Sequence, residues 1–353
     1  MTPFSEKRLT LANSIRNSLA NKDTLTSVQA RSFVRCLQTT WQVPTIRWRE
    51  SETLLQLDDA RRLLHSAEIY TQEEGSSSEN AILCYRRAAE IFEWIVRSID
   101  APQYSVPFEL IAAASYQLGR LPAMASSLLA QADLIDDGSR LYSSFLRADF
   151  DGVINSIASF WSNNPTLRNR FASEEILLND ENDRVSWYIT VELIRCIGLI
   201  ADCLRRNDNT RLEKALAKLN VLDSLAVRTF SNDVSLLITL LYAVAREFYN
   251  SSIYRPIMRL AQNHERHQKL LYSFAREQFS RGRGILWSSQ RLGINRLLEE
   301  SSFALCTPTG SGKTLVATLA VIKELLLQDY TDLAPLGFPM CHNSCRRPLK
   351  ELS

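Results

Sequence analysis

No stretch of this sequence is apolar for long enough to cross a bilayer. The most apolar run, Val234 to Ala245, stops at Arg246 and Glu247 and reads as a buried helix. The N-terminus, MTPFSEKRLTLANSIRN, lacks the continuous apolar core of a secretory signal. Cysteine offers no framework: seven residues (Cys36, Cys84, Cys196, Cys203, Cys306, Cys341 and Cys345) are scattered singly, so reduced thiols and a cytoplasmic location are the expectation. Charge of one sign is also missing. With 41 Lys and Arg against 39 Asp and Glu, the net charge of +2 creates no global field toward nucleic acid or membrane. Any binding of that kind has to come from a local patch. No alternating apolar and polar segment of useful length occurs before Ser301, so the first part of the chain is expected to hold no half-buried sheet.

What is present fits two domains. The 353 residues are 45% hydrophobic and 23% charged, enough for two cores. Glycine marks the change between them. Only five of the eleven glycines (Gly75, Gly119, Gly138, Gly152 and Gly198) precede position 282, and the other six lie in the last 72 residues. The expected division is an α-helical domain over 1–280, a loop-and-strand segment over 281–330, and an irregular tail over 331–353.

Short polar breaks punctuate the helical region at EEGSSSEN (Glu73 to Asn80), SIDAPQYSVP, DDGS and SNNP. Between them apolar residues recur at three and four. Ile82, Tyr85, Ala89, Phe92 and Val96 form one such stripe. ASYQLGRLPAMA carries the Tyr-x-x-Gly spacing of a tight helix–helix turn, as in tetratricopeptide units, and RADFDGVINSIASFWSNNP follows about 30 residues later with a similar shape. A tetratricopeptide-like array and an irregular helical bundle both fit this pattern. Either would serve as a platform for a protein partner.

The segment Thr307-Pro308-Thr309-Gly310-Ser311-Gly312-Lys313-Thr314 is a Walker A loop lacking only its first glycine. Gly310 and Gly312 let successive amides of the Thr307, Thr309 and Ser311 stretch turn inward onto phosphate oxygens. Lys313 brings a point charge to the β- and γ-phosphates, and the Thr314 hydroxyl is a ligand for Mg²⁺. KTLVATLAVIKELLL reads as a helix whose positive end faces the same anion, and FALC (Phe303 to Cys306) as a buried strand leading in. Gln290 lies 23 residues before Lys313. Its amide can donate to and accept from an adenine edge at once, selecting ATP. Trp287 beside it is a candidate to stack on the base. A domain-boundary anchor and a helix-start residue are the bland alternatives for these two.

Together, TPTGSGKT and Gln290 resemble motif I and the Q-motif of superfamily 2 helicases, the DEAD/DEAH-box type. The resemblance covers roughly residues 285 to 328. It implies the opening strand, P-loop and helix of an α/β RecA-like domain, binding of ATP and Mg²⁺, and movement along DNA or RNA. The family also needs an Asp-Glu motif and a second motor domain, and neither is found before Ser353. APLGFPMCHNSCRRPLKELS carries three prolines and no β-branched run, and reads as a truncated tail. The expected fold class is therefore mainly α, followed by the start of an α/β motor. Nucleotide binding without turnover is expected, with a helical scaffold carrying an idle loop as the alternative.

Other signals are weaker. His264 and His267 lack a carboxylate or cysteine partner at ligand spacing, and CHNSC (Cys341, His342, Cys345) lacks a second ligand pair. From Arg255 to Arg283 seven Lys and Arg face two Glu. Within that run Arg276, Arg281 and Arg283 are candidates for phosphate contacts with nucleic acid, and a solvated helix face is the alternative.

Overall fold

Three- and four-residue apolar spacing dictates helices, and the computed structural model is mainly helical over the residues it describes. That covers residues 3–40, 50–98, 106–134, 136–163, 165, 181–229, 232–261, 265–299, 304, 306 and 312–327. Among these residues there are fifteen helices and no strand. None of the described helices is long and apolar enough to cross a membrane.

The chain packs as two compact units, Met1–Cys203 with Asn209–Glu247, and Leu204–Asp208 with Phe248–Ser353. The first contains α1 (Pro3–Leu19), α2 (Ser27–Thr40), α3 (Glu50–Glu74), α4 (Glu79–Val96), α5 (Phe108–Leu118), α6 (Pro122–Gln131), α7 (Asp137–Leu146) and α8 (Phe150–Asn163). It also holds most of α9 (Glu181–Arg206), then α10 (Asn209–Thr229) and most of α11 (Asn232–Asn250). The second holds α12 (Tyr254–Leu260), α13 (Glu265–Ser280), α14 (Ser288–Glu299) and α15 (Lys313–Leu327). The packing boundary thus falls about 30 residues earlier than the shift in glycine content: α12 and α13 belong with the loop segment.

Helix α4 shows how the first unit is built. Ser78 opens it, accepting a hydrogen bond from the Ala81 amide at 3.2 Å. The expected stripe of Ile82, Tyr85, Ala89 and Phe92 is buried, while Val96 is only partly so. Cys84, Ala88, Ile91 and Ile95 are buried as well, because α4 packs against α3 on one side and α5 on the other. The Phe92 and Phe108 rings meet edge to face at 5.3 Å. Burying each side chain of this size stabilises the fold by roughly 1.5–3 kcal/mol before entropy is counted.

Two of the helix pairs turn on three-residue links. The α5–α6 link puts Arg120 at φ 59°, and α7–α8 puts Ala148 at φ 58°. In each the amide just past that residue bonds back into the preceding last turn, Leu121 N to Tyr116 O at 2.9 Å and Asp149 N to Ser144 O at 3.1 Å. Gly119 ends α5 where a Cβ would collide with Arg86 of α4, whose Nε donates to the Gly119 carbonyl at 2.7 Å. The Tyr116-x-x-Gly119 spacing thus marks a tight turn, with the left-handed residue one position later. Far apart in sequence, Arg61 of α3 forms an ion pair with the buried Asp233 of α11.

In the second unit Tyr254 is the centre. It is 1% exposed, stacks on Phe279 at 5.4 Å and donates its hydroxyl to the Arg205 carbonyl at 2.6 Å. The chain after α13 is tied to the end of α11. Ile253 N donates to Gly284 O at 3.0 Å and Leu286 N to Ser251 O at 2.8 Å, around an antiparallel bridge between Ser252 and Ile285.

Candidate nucleotide-binding site

Gly312, Lys313 and Thr314 of the Walker-type loop are described; Thr307, Thr309, Gly310 and Ser311 lie outside the described residues. Gly312 has φ 76°, a left-handed conformation that glycine adopts without steric cost. Lys313 begins α15, so the loop runs straight into a helix N-terminus with its outward-pointing amides. The side chains of Lys313 and Thr314 are both exposed there.

Gln290 joins this loop to the chain before it. Its Nε2 donates to the Gly312 carbonyl at 3.3 Å, and its Oε1 accepts from the Trp287 amide at 2.8 Å. The second contact caps α14, since Trp287 is the residue just before the helix and Gln290 the third within it. An amide group can make four hydrogen bonds, and these contacts use two. A Cβ on Gly312 would meet the movable end of the Gln290 side chain, so it is the left-handed backbone that calls for glycine here. The Trp287 ring is 43% exposed and open to a planar partner.

Two further contacts hold this frame. Ile294 and Leu297 of α14 and Leu315, Val316 and Leu319 of α15 are buried, and Lys323 donates to the Leu297 carbonyl at 2.6 Å in the last turn of α14. Arg291 reaches back to the Ser251 hydroxyl at 3.1 Å. Of the expected strand Phe303 to Cys306, the two described residues, Ala304 and Cys306, are exposed and without regular structure.

Among the described residues of the loop, Thr314 carries the hydroxyl that could meet Mg²⁺. Among the described residues no group of three or more His, Cys, Asp or Glu could hold a metal ion. His267 is in no such group, while His264, Cys341, His342 and Cys345 lie outside the described residues.

The basic run splits by pairing. Lys269 and Arg281 each form an i,i+4 pair with Glu265 and Glu277, both at the surface. Arg255 bonds Asn250 at 2.9 Å and lies over the Tyr249 ring. Arg276 and Arg283 are exposed, and Arg276 also hydrogen-bonds the Tyr254 hydroxyl. Surface ion pairs of this kind contribute only about 0–1 kcal/mol.

No protein-family model matches this chain, and no curated protein is significantly similar to it. The structure places Gln290 in the first turn of α14, the helix-start role that was the bland alternative for it, whereas the Arg291–Ser251 contact was not foreseen from the sequence. A capping box is recognised by Ser or Thr three residues before Gln or Glu, and here Trp287 stands in that place.

Proposed function

We propose that residues 287–314 bind ATP with Mg²⁺, and that the chain is the N-terminal portion of an ATP-dependent DNA or RNA helicase. The observation that carries this reading is the hydrogen bond from Gln290 to Gly312. It brings together two parts of the signature that stand apart in sequence, at the N-terminus of α15. In this reading Lys313 and the loop amides hold the triphosphate and Thr314 meets the metal. Trp287 stacks on the base, and the unused half of the Gln290 amide reads the adenine edge. Arg276, Arg281 and Arg283 contact nucleic-acid phosphates. The segment around the loop is the start of a RecA-like fold, and the thiols belong in a reducing, cytoplasmic setting.

Titration calorimetry tests the core of this. ATP–Mg²⁺ is expected to bind weakly and in preference to GTP, and Lys313→Ala to abolish the signal. Binding that survives this substitution unchanged would reject the site.

A second reading is a tetratricopeptide-like scaffold with an idle loop. It is supported by the pairs α5–α6 and α7–α8, which close with the same left-handed link. A nucleotide-independent protein partner retained by Lys313→Ala would favour it.

A further inference from the structure

Trp287 and Gln290, the two residues given the reading of the base, lie between two points of attachment. Before them the Leu286 amide donates to the Ser251 carbonyl at 2.8 Å. After them Arg291 donates from Nη1 to the Ser251 hydroxyl at 3.1 Å. Both attachments end on one residue, the first after α11. Ser251 is 5% exposed and Leu286 3%, so water competes little for the main-chain bond. The guanidinium makes the second bond a charge-assisted one.

The two attachments restrain different freedoms. The Leu286 bond, with the bridge between Ser252 and Ile285, fixes where the chain enters α14. A tether at the entry alone leaves the first turn free to rotate. Arg291 removes that freedom. Its amide donates to the Trp287 carbonyl at 2.9 Å in the first turn of α14, while its side chain is held at Ser251. Gln290 is its neighbour, about 100° round the same turn at 3.6 residues per turn. Fixing the direction of Arg291 thus fixes that of Gln290, whose amide bonds Trp287 N and Gly312 O. Lys313, given to the triphosphate, is carried by α15 instead.

We propose that Ser251 and Arg291 are positioning residues for base recognition, setting the direction of Trp287 and Gln290 and so the preference for adenine. This rests on the nucleotide-binding reading of residues 287–314.

The test uses the full chain with ATP, GTP and inorganic tripolyphosphate, the last reporting on the phosphate end alone. Ser251→Ala removes the hydroxyl and keeps the carbonyl. Arg291→Met keeps the aliphatic stem and removes the donor, and Arg291→Lys restores a charged donor. In competition calorimetry Ser251→Ala and Arg291→Met should each lower the preference for ATP over GTP about three- to tenfold, the worth of one hydrogen bond. Tripolyphosphate affinity should not change, and Arg291→Lys should recover most of the preference. Ser251→Ala added to Arg291→Met should cost nothing further, because both break the same bond. Hydrogen exchange reads the link without nucleotide: the Trp287 amide, held by Gln290, should exchange about three- to tenfold faster in both variants. Circular dichroism checks the fold, and should Ser251→Ala not fold, Arg291→Met and Arg291→Lys decide the outcome alone. Equal loss of ATP and tripolyphosphate, or unchanged preference and unchanged Trp287 exchange, would overturn the positioning role and leave the nucleotide site standing. Wild type that binds no nucleotide, or binds ATP and GTP alike, would instead overturn the reading of the site, and this role with it.

Discussion

The Gln290 side chain donates to the main-chain carbonyl of Gly312 across 22 positions of sequence. One amide therefore holds the start of α14 and the residue before α15 at the same time. The two contacts can be separated chemically. Gln290→Glu keeps the acceptor for the Trp287 amide and removes the donor to Gly312, while Gln290→Ala removes both. We expect Gln290→Ala to lower stability by about 1 kcal/mol more than Gln290→Glu, the usual worth of a helix cap. Both should lose the preference for ATP over GTP. Denaturant unfolding and competition calorimetry measure the two effects.

Gly312→Ala should be harmful in the folded state without touching any charged group. It forces a left-handed backbone on alanine, and the methyl meets the movable end of the Gln290 side chain. A non-glycine residue in that region costs on the order of 1–3 kcal/mol. The expected result is loss of nucleotide binding with the helical signal of the whole chain nearly intact. Wild-type binding by Gly312→Ala would show that the loop does not need this conformation.

Steady-state ATP hydrolysis by this chain should not exceed that of Lys313→Ala, with or without DNA or RNA. Turnover needs a carboxylate on the far side of the metal and a positioned water. The acids after the loop are Glu324, Asp329, Asp332 and Glu351. Glu324 lies roughly 15 Å along α15 from Lys313 at 1.5 Å per residue. Phosphate release clearly above the control would mean that a carboxylate from elsewhere completes the site.

Ala148→Gly should stabilise the first unit. Ala148 sits at φ 58° between α7 and α8. Relief of the left-handed strain outweighs the extra freedom glycine gives the unfolded chain, for a net gain of about 0.5–1 kcal/mol and roughly 1–4 °C in Tm. An unchanged or lower Tm would show that the link carries no such strain.

Thiol chemistry should separate the cysteines by burial. Cys84, Cys196 and Cys203 are buried and Cys306 is exposed. Burial pushes Cys84 up to about 12 against the nearby positive charge of Arg16, and Cys196 to about 12 with Glu192 adding to the effect. Both should stay unreactive toward a thiol reagent in native protein, and Cys306→Ser should remove one fast-reacting group. Below the ordinary thiol value of 9.0 these groups are neutral in both folded and unfolded chains, so their contribution is intact. As pH rises from there toward about 12 the unfolded thiols ionise first, and stability should fall. Melting curves that stay level over this range would contradict the assignment.

The helices were legible because their cause is local. Three- and four-residue spacing acts within one turn, and polar breaks such as EEGSSSEN separate one helix from the next. Where the units divide was not, because it depends on contacts between elements. Tyr254 and Phe279 draw α12 against α13, and nothing in the spacing of either helix announces that partnership. The loop motif was readable as a string, since glycines and a lysine at fixed offsets are themselves the signal. A helix-start role was among the readings open for Gln290, but the particular cap was hidden because its partner is the main chain of a tryptophan. The doubly buried α4 was half read: its period marked one face, but only a second neighbour explains why Cys84 and Ile91 are covered too.

The main-chain ties of Ser251 and Ile253 to Gly284 and Leu286 make α12 and α13 a closed lap in the chain. Force arriving from α14 would therefore enter that lap both across the short seam and through α12, against which α14 packs.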